Sequence, residues 1–213
     1  MAVKMVAENF AGNVGHTNNR KEHIYGVGHQ TFQVQKRERL NDGERHELAE
    51  AALAAILEGG ALEWYVPPAR DIIEHWFDGV CLAPTRQLLV VHDDNNQLCG
   101  AAILGLPMGT SNLIAPRALL CNLFVAPYAR NQGRGTALVE AAARTAKRAG
   151  AQVLNAEILE SRLFGRKLLL RCGFQHWGSH PYYGRLGGRP HGPWVHGLCF
   201  SRDLTHSALK ATL

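Results

Sequence analysis

Apolar residues recur at two spacings along the chain, and each spacing predicts a type of secondary structure. Phe32 and Val34 alternate with glutamines in the segment that begins at Thr31, which predicts a half-buried strand. The segment 44–57 carries its apolar residues on one helical face, and a second helix is predicted over 69–77, after a pair of prolines.

Shorter apolar runs dominate the rest of the chain. Three successive strands are predicted over 87–92, 97–106 and 118–126. The later predicted elements are a helix over 134–148, a strand over 152–159, a helix over 162–172 that Ser161 can cap, and strands over 175–183 and 194–203. Antiparallel hairpins therefore flank one strand–helix–strand unit, which predicts an α/β fold with a mixed sheet and helices on its faces.

Length and composition indicate one globular domain. The 213 residues are 46% hydrophobic and 19% charged, which excludes a largely disordered, collagenous or coiled-coil chain. We predict an irregular N-terminal extension over 1–30, a single domain over 31–204 and a C-terminal tail over 205–213. No apolar run reaches the ~18 residues of a membrane span, and no secretory signal is visible. Five separate cysteines without a Cys-x-x-Cys pair indicate reduced thiols and a cytoplasmic protein.

Positive charge is concentrated in one region. Of the 23 Lys and Arg residues, eleven lie in 127–191 with three acidic residues, a balance of +8; the rest of the chain then has twelve against fifteen, or −3. A basic surface favours an anionic partner. The charge therefore points to this region as the place of the candidate chemistry.

The same region contains a turn suited to a diphosphate. A predicted buried strand ends near Val125 and leads into a turn with Gly133 and Gly135, and a helix follows. Glycines let the backbone approach a ligand closely, the first amides of a helix lack internal partners, and the helix dipole favours anions there. Arg130 and Arg134 add charged donors. The pattern is neither a P-loop nor a dinucleotide-binding fingerprint.

Together these residues resemble a known family. The sequence Val125-Ala-Pro-x-x-Arg130-x-x-Gly133-x-Gly135, followed by Gly173-Phe174, resembles the motif of the Gcn5-related (GNAT) N-acetyltransferases, and the element order over 31–204 is similar to theirs. The resemblance implies a GNAT-like acyl-CoA N-acyltransferase fold, with a central, mostly antiparallel sheet and helices on both faces.

The resemblance also implies acetyl-CoA as the cosubstrate. It would lie in a cleft between the strands 118–126 and 152–159, with the pantetheine arm along the first strand, the diphosphate on the turn, and the helix that begins near Ser161 across the arm. The implied cofactor-binding residues are Leu123, Phe124, Val125, Arg130, Asn131, Gln132, Gly133, Arg134, Gly135, Thr136, Ser161, Arg162 and Leu169.

Catalytic residues are implied less completely. An amine with a pKa near 10.4 must lose a proton before it attacks. The glutamate base of the members that acetylate ribosomal-protein N-termini falls on Glu157. A strand-end carboxylate paired with an arginine is the alternative for Glu157. The tyrosine acid of the same members falls on Leu169, which cannot donate a proton. Tyr182 and Tyr183 are the substitute candidates, with packing as their alternative role.

Cysteine and histidine are two further residue types that could take part in catalysis or metal binding. Cys121 stands where some members have a glutamate; we expect a buried, inert thiol, and an acetyl-cysteine intermediate would depart from direct transfer. The eleven histidines form no ligand set with the spacing of a metal site, so no metal is expected.

The sequence thus predicts an acetyl-CoA-dependent N-acetyltransferase that modifies a primary amine of a small molecule, protein or peptide by direct attack in a ternary complex. The alternative is a non-catalytic module of the same fold that binds acyl-CoA or nucleic acid, which Leu169 and the basic region motivate. The expected partners are acetyl-CoA and an unidentified amine, without a membrane, and a homodimer is compatible with the sequence.

Overall fold

The computed structural model describes residues 32–59, 62–109, 113–189 and 191–205. The predicted extension over 1–30 and nearly all of the predicted tail over 205–213 lie outside these residues. The elements are β1 (Val34–Arg37), α1 (Asp42–Leu57), α2 (Arg70–Leu82), β2 (Arg86–His92), β3 (Leu98–Gly105), β4 (Arg117–Val125), α3 (Arg134–Arg148), β5 (Val153–Leu159), α4 (Leu163–Arg171), β6 (Gln175–Arg185) and β7 (Trp194–Asp203).

The strands form one mixed sheet of seven strands in the order β1-β2-β3-β4-β5-β7-β6. Every neighbouring pair is antiparallel except β4 and β5, which are parallel. Residues of α3 and α4, such as Leu138 and Leu169, pack in a core on one face. Residues of α1 and α2, such as Leu48 and Phe77, pack in a core on the other face. The predicted α/β fold with helices on both faces is confirmed.

Side-chain hydrogen bonds fix the start of α1 but not the start of α4. At the start of α1, the Glu44 amide donates to Oδ1 of Asn41 and the Asn41 amide donates to Oε2 of Glu44, a reciprocal capping box. The predicted cap at Ser161 is wrong, because Arg162 occupies the N-cap position of α4 and makes no side-chain cap hydrogen bond. Helix α2 extends past the predicted 69–77 because Val80 continues its buried face.

Strands β4 and β5 separate part of the way along. They pair only from Arg117 with Val153 to Leu120 with Ala156. Beyond that point β4 stays with β3, and β5 stays with β7. A wedge-shaped cleft therefore opens between the carboxyl ends of the two parallel strands.

A bulge in β4 lies at the point where the cleft opens. Ala101 pairs with Phe124 and Ile103 pairs with Cys121, so β4 has one more residue than β3 over this interval. Asn122 within the bulge has a φ of 49°. Bulges bend a strand and increase its twist, and this one coincides with the separation of β4 from β5.

In the part of the chain that the structure describes, no helix has the length and apolar character needed to cross a membrane.

Candidate active site

The cleft leads directly to the start of α3. After β4, the chain makes a short 3₁₀ turn over Pro127–Ala129 and reaches the N-cap of α3 at Gly133. Asn131 has a φ of 61° and Gly133 a φ of 93°, and these left-handed residues reverse the chain sharply. No side chain caps α3 among the described residues. Its first amides therefore remain available to an anion.

Gly135 stands in the first turn of α3 beside α4. A Cβ at this position would lie 3.2 Å from Cδ2 of Leu168, tighter than most contacts in proteins. The groove between the two helices is thus narrow at Gly135, and Thr136 lies one residue further along. Asn131, Gln132 and Gly133 are exposed at its rim.

Arg134 differs from the expectation that its side chain contacts the cofactor. Its side chain is almost fully buried, and Nε donates to the His92 carbonyl at 3.0 Å, while Nη1 donates to the Ala129 carbonyl at 3.3 Å. Nη1 also donates to the Gln132 side chain, and the guanidinium lies 4.5 Å from the centroid of the Phe32 ring. The guanidinium group of Arg134 therefore holds the turn in place from beneath. Only the backbone of Arg134 faces the groove.

Arg130 and Arg162 lie near each other at the end of α1. Nε of Arg130 donates to the Val125 carbonyl at 2.9 Å, and Nη1 bonds Glu58. Arg162 bonds the Gly59 carbonyl. Burial lowers the pKa of Arg162, and the charge of Arg130 lowers it further. The structure thus brings these two predicted residues, one from each side of the cleft, to a common rim.

The side chains of the β4 end point away from the cleft. Leu123 packs against the core beneath α3, whereas Phe124 is buried in the core beneath α1 and α2, with its ring centroid 6.3 Å from that of Phe77. The part of β4 that lines the opening is therefore its backbone edge, including Val125.

Leu169 and Ser161 were expected to contact the cosubstrate, but their side chains do not line the groove between α3 and α4. Leu169 is 2% exposed and packs in the core beneath α3. Leu168, one residue earlier, is the α4 residue beside Gly135. Ser161 lines a separate surface groove of about 300 Å³ together with Glu160 and Trp194. Leu169 faces the core because packing sets the rotation of α4 about its axis, whereas Ser161 precedes both α4 and its N-cap residue Arg162.

Glu157 lies at the floor of the cleft. It is the first residue of β5 after the last pair with β4, it is exposed, and it pairs with Cys199 of β7. Leu119 and Asn155 are paired, so Cys121 and Glu157, two residues further along each strand, share the face that carries α1 and α2. No ion pair to Glu157 is found among the described residues.

The two tyrosine candidates occupy different environments. Tyr183 is half-buried, and burial together with the neighbouring charge of Glu157 raises its pKa to about 12. Tyr182 is 63% exposed and packs edge-on against Trp194 at 5.3 Å between ring centroids. Tyr183 therefore lies close enough to Glu157 to be affected by its charge, whereas Tyr182 lies at the surface against Trp194.

Neighbouring side chains complete the cleft. Sγ of Cys121 donates to the Ile103 carbonyl at 3.4 Å, and burial raises its pKa, which keeps it a protonated thiol. Nδ2 of Asn122 donates to Oε1 of Glu63 at 3.2 Å, which joins β4 to the segment after α1. Sequence reasoning missed Asn122 and Glu63; the only signal was a polar residue in an apolar strand. Among the described residues, no three His, Cys, Asp or Glu side chains group as a metal site.

Comparison with known proteins identifies the family of the chain. Residues 49–174, more than half of the chain, match the acetyltransferase (GNAT) family. The "uncharacterized N-acetyltransferase in hisH-hisA intergenic region" of Azospirillum brasilense is 36% identical over 139 residues, which are 65% of this chain and 80% of that protein.

Solved structures share the fold. A phosphinothricin acetyltransferase from Sinorhizobium meliloti in complex with acetyl-CoA superposes with a TM-score of 0.63 at 18% identity, covering 82% of this chain and 89% of its own. The yncA protein of Salmonella typhimurium, with its cofactor acetyl-CoA, superposes with a TM-score of 0.61 at 19% identity, covering 85% of this chain and 99% of its own. From its sequence and its fold, the chain belongs to the acetyltransferase (GNAT) family of N-acetyltransferase enzymes.

Proposed function

We propose that this protein transfers the acetyl group of acetyl-CoA to a primary amine by direct attack in a ternary complex. The observation that carries the proposal is the cleft between β4 and β5, which ends at the uncapped start of α3. Both features fit an extended acyl thioester with a diphosphate at one end.

The cosubstrate residues follow from the exposed backbone. The edge of β4 at Leu123–Val125 has no partner strand on the cleft side among the described residues and would pair with the amide groups of the pantetheine arm, as an added strand does. The Val125 carbonyl is excepted, because it already accepts a hydrogen bond from Nε of Arg130. The backbone amides of 131–136 would hold the diphosphate, and Leu168 of α4 would cover the arm. Arg130 and Arg162 add positive charge at the rim, although both also bond protein groups at the end of α1.

The amine would enter from the face that carries α1 and α2. Glu157 lies on this face at the floor of the cleft and would accept the proton of the ammonium group, directly or through water. Bound acetyl-CoA supplies an activated acetyl group, whose thioester bond breaks as the amide bond forms. Tyr183, which its raised pKa keeps protonated, would donate a proton to the departing thiolate. Leu169 is thereby replaced as the acid by a residue of β6.

Amine-dependent release of the CoA thiol tests the proposal. Purified protein is mixed with acetyl-CoA and a panel of primary amines, and the products are identified by mass. Thiol release that needs an amine and yields its N-acetyl product supports the function. Release that is the same without any amine contradicts it.

A further inference from the structure

Tyr183 and Glu157 lie on strands that are not neighbours. Tyr183 is on β6 and Glu157 is on β5, and β7 lies between these strands in the sheet. Adjacent strands are about 4.8 Å apart, so the two backbones are separated by about 9.6 Å. The side chain of Tyr183 must therefore cross β7 to face Glu157.

A bulge in β6 directs Tyr183 across β7. His180 pairs with Gly197 and Gly184 pairs with Val195, so three residues of β6 lie opposite one residue of β7. Pro181 is the first of the three, and it has no N–H group to continue the ladder. Since extra residues bend a strand and redirect its side chains, the bulge frees Tyr183 from the regular alternation.

Gly197 of β7 provides the space for the crossing. A Cβ at Gly197 would overlap Cγ and Cδ2 of Tyr183 and would lie 2.9 Å from its Cβ. The Tyr183 side chain thus fills the volume that any other residue at this position would occupy. A strand glycine of this kind marks the close approach of another group.

We propose that Gly197 is a positioning residue of the enzyme, because its missing side chain opens the path by which Tyr183 crosses β7 to the cleft. This inference rests on the proposed role of Tyr183 as the acid. It explains how a chain with Leu169 buried in α4 brings a phenol to the cleft from another element.

A double-mutant cycle on the rate tests the functional part. Gly197→Ala lowers kcat for acetyl transfer about 100-fold, the lower end of the contribution of a general acid, and leaves the KM for acetyl-CoA within about twofold. In a Tyr183→Phe background the same change has no further effect on kcat, because the acid is already absent. Gly178→Ala is the matched control; it lies on β6 with no atom within 4 Å of the added Cβ, and it keeps the wild-type kcat.

Equal losses of kcat in both backgrounds overturn the positioning role, and so does a wild-type kcat in Gly197→Ala. A wild-type kcat in Tyr183→Phe overturns it as well, since Tyr183 would then have no proton to deliver. Failure of the proposed function has a different signature, since the unaltered protein then lacks amine-dependent acetyl transfer.

A melting cycle tests the geometry without activity. Gly197→Ala lowers the melting temperature in the wild-type background, and combining it with Tyr183→Ala removes that loss, because the overlapping ring is gone. If Gly197→Ala alone does not fold, a folded Gly197→Ala/Tyr183→Ala protein supports the proposal. A loss that persists in the Tyr183→Ala background, or a double variant that fails to fold while Tyr183→Ala folds, overturns it.

Discussion

Nη2 of Arg134 donates a hydrogen bond of 2.6 Å to Oδ1 of Asp94, and this contact joins the first residue of α3 to the β2–β3 turn. The side chain of Arg134 is 1% exposed, whereas that of Asp94 is 73% exposed. The ion pair therefore extends from the interior to the surface. It fixes the turn that presents the backbone amides at the start of α3.

Arg134→Ala should destabilise the protein by about 2–4 kcal/mol, because it leaves buried carbonyls without donors and creates a cavity. The carbonyls concerned are those of His92 and Ala129. Chemical denaturation measures the free energy of unfolding. Arg144→Ala on the exposed face of the same helix is the control, with an expected change below about 0.5 kcal/mol. Equal effects of the two substitutions would contradict a structural role for Arg134.

Gly135→Glu should abolish acetyl-CoA binding while the protein stays folded. The new side chain would meet Leu168 and would place a negative charge where the diphosphate is proposed to bind. Calorimetry measures binding, and a thermal melt verifies the fold. Gly79→Glu adds the same group to an open position of α2 and should bind normally. Normal binding by folded Gly135→Glu would remove the turn from the cosubstrate site.

Glu157→Gln should reduce the rate most at low pH. More of the acceptor is then protonated, so removal of its proton by a base matters more. We expect kcat/KM to fall about 100-fold near neutral pH, a typical general-base effect. We expect it to recover as the pH approaches the pKa of the acceptor amine. Initial rates across pH measure this, with Glu160→Gln as the charge-matched control. A pH profile that Glu157→Gln leaves unchanged would exclude Glu157 as the base.

Tyr183 should make the protein less stable in alkali. Its pKa of about 12 in the folded state exceeds the value near 10 of an unfolded tyrosine. Its contribution to stability is complete below pH ~10 and is lost as the pH rises through ~12, because the unfolded chain loses the phenol proton first. Tyr183→Phe should therefore flatten the decline of unfolding free energy above pH ~10. Tyr182→Phe, at an exposed position, should leave the slope unchanged. A slope in Tyr183→Phe that is as steep as that of the unaltered protein, or steeper, would contradict the raised pKa of Tyr183.

The sequence predicted the elements well where chemistry marks their ends. Gly133 and Gly150 lie just outside α3, both with positive φ, and the predicted helix over 134–148 agrees with the structure. The apolar strand before it and the turn into it could also be predicted, because both depend on neighbouring residues.

Side-chain direction could not be predicted in the same way. The motif treats Arg134 as a donor to an anion, yet its acceptors come partly from His92 and Asp94, some forty residues earlier in the chain. Leu169 aligns with a family position, whereas packing rotates α4 so that Leu168 faces Gly135. These directions depend on contacts between distant segments, which spacing along one segment does not contain.

The same limit applies to Tyr183. Its position as the half-buried tyrosine beside Glu157 depends on a two-residue excess in β6 and on the space over Gly197. A sequence pattern distinguishes Tyr182 from Tyr183 only if the strand alternates regularly, and here it does not.

Calorimetric titration with acetyl-CoA at moderate salt tests the central claim most directly. We expect saturable one-to-one binding in the micromolar range, with competition by CoA. The affinity should change little between ~50 and 200 mM salt, whereas the affinity of a nucleic-acid binder falls steeply over that range. Absence of binding heat together with absence of CoA competition would contradict the proposal that the cleft between β4 and β5 holds acetyl-CoA.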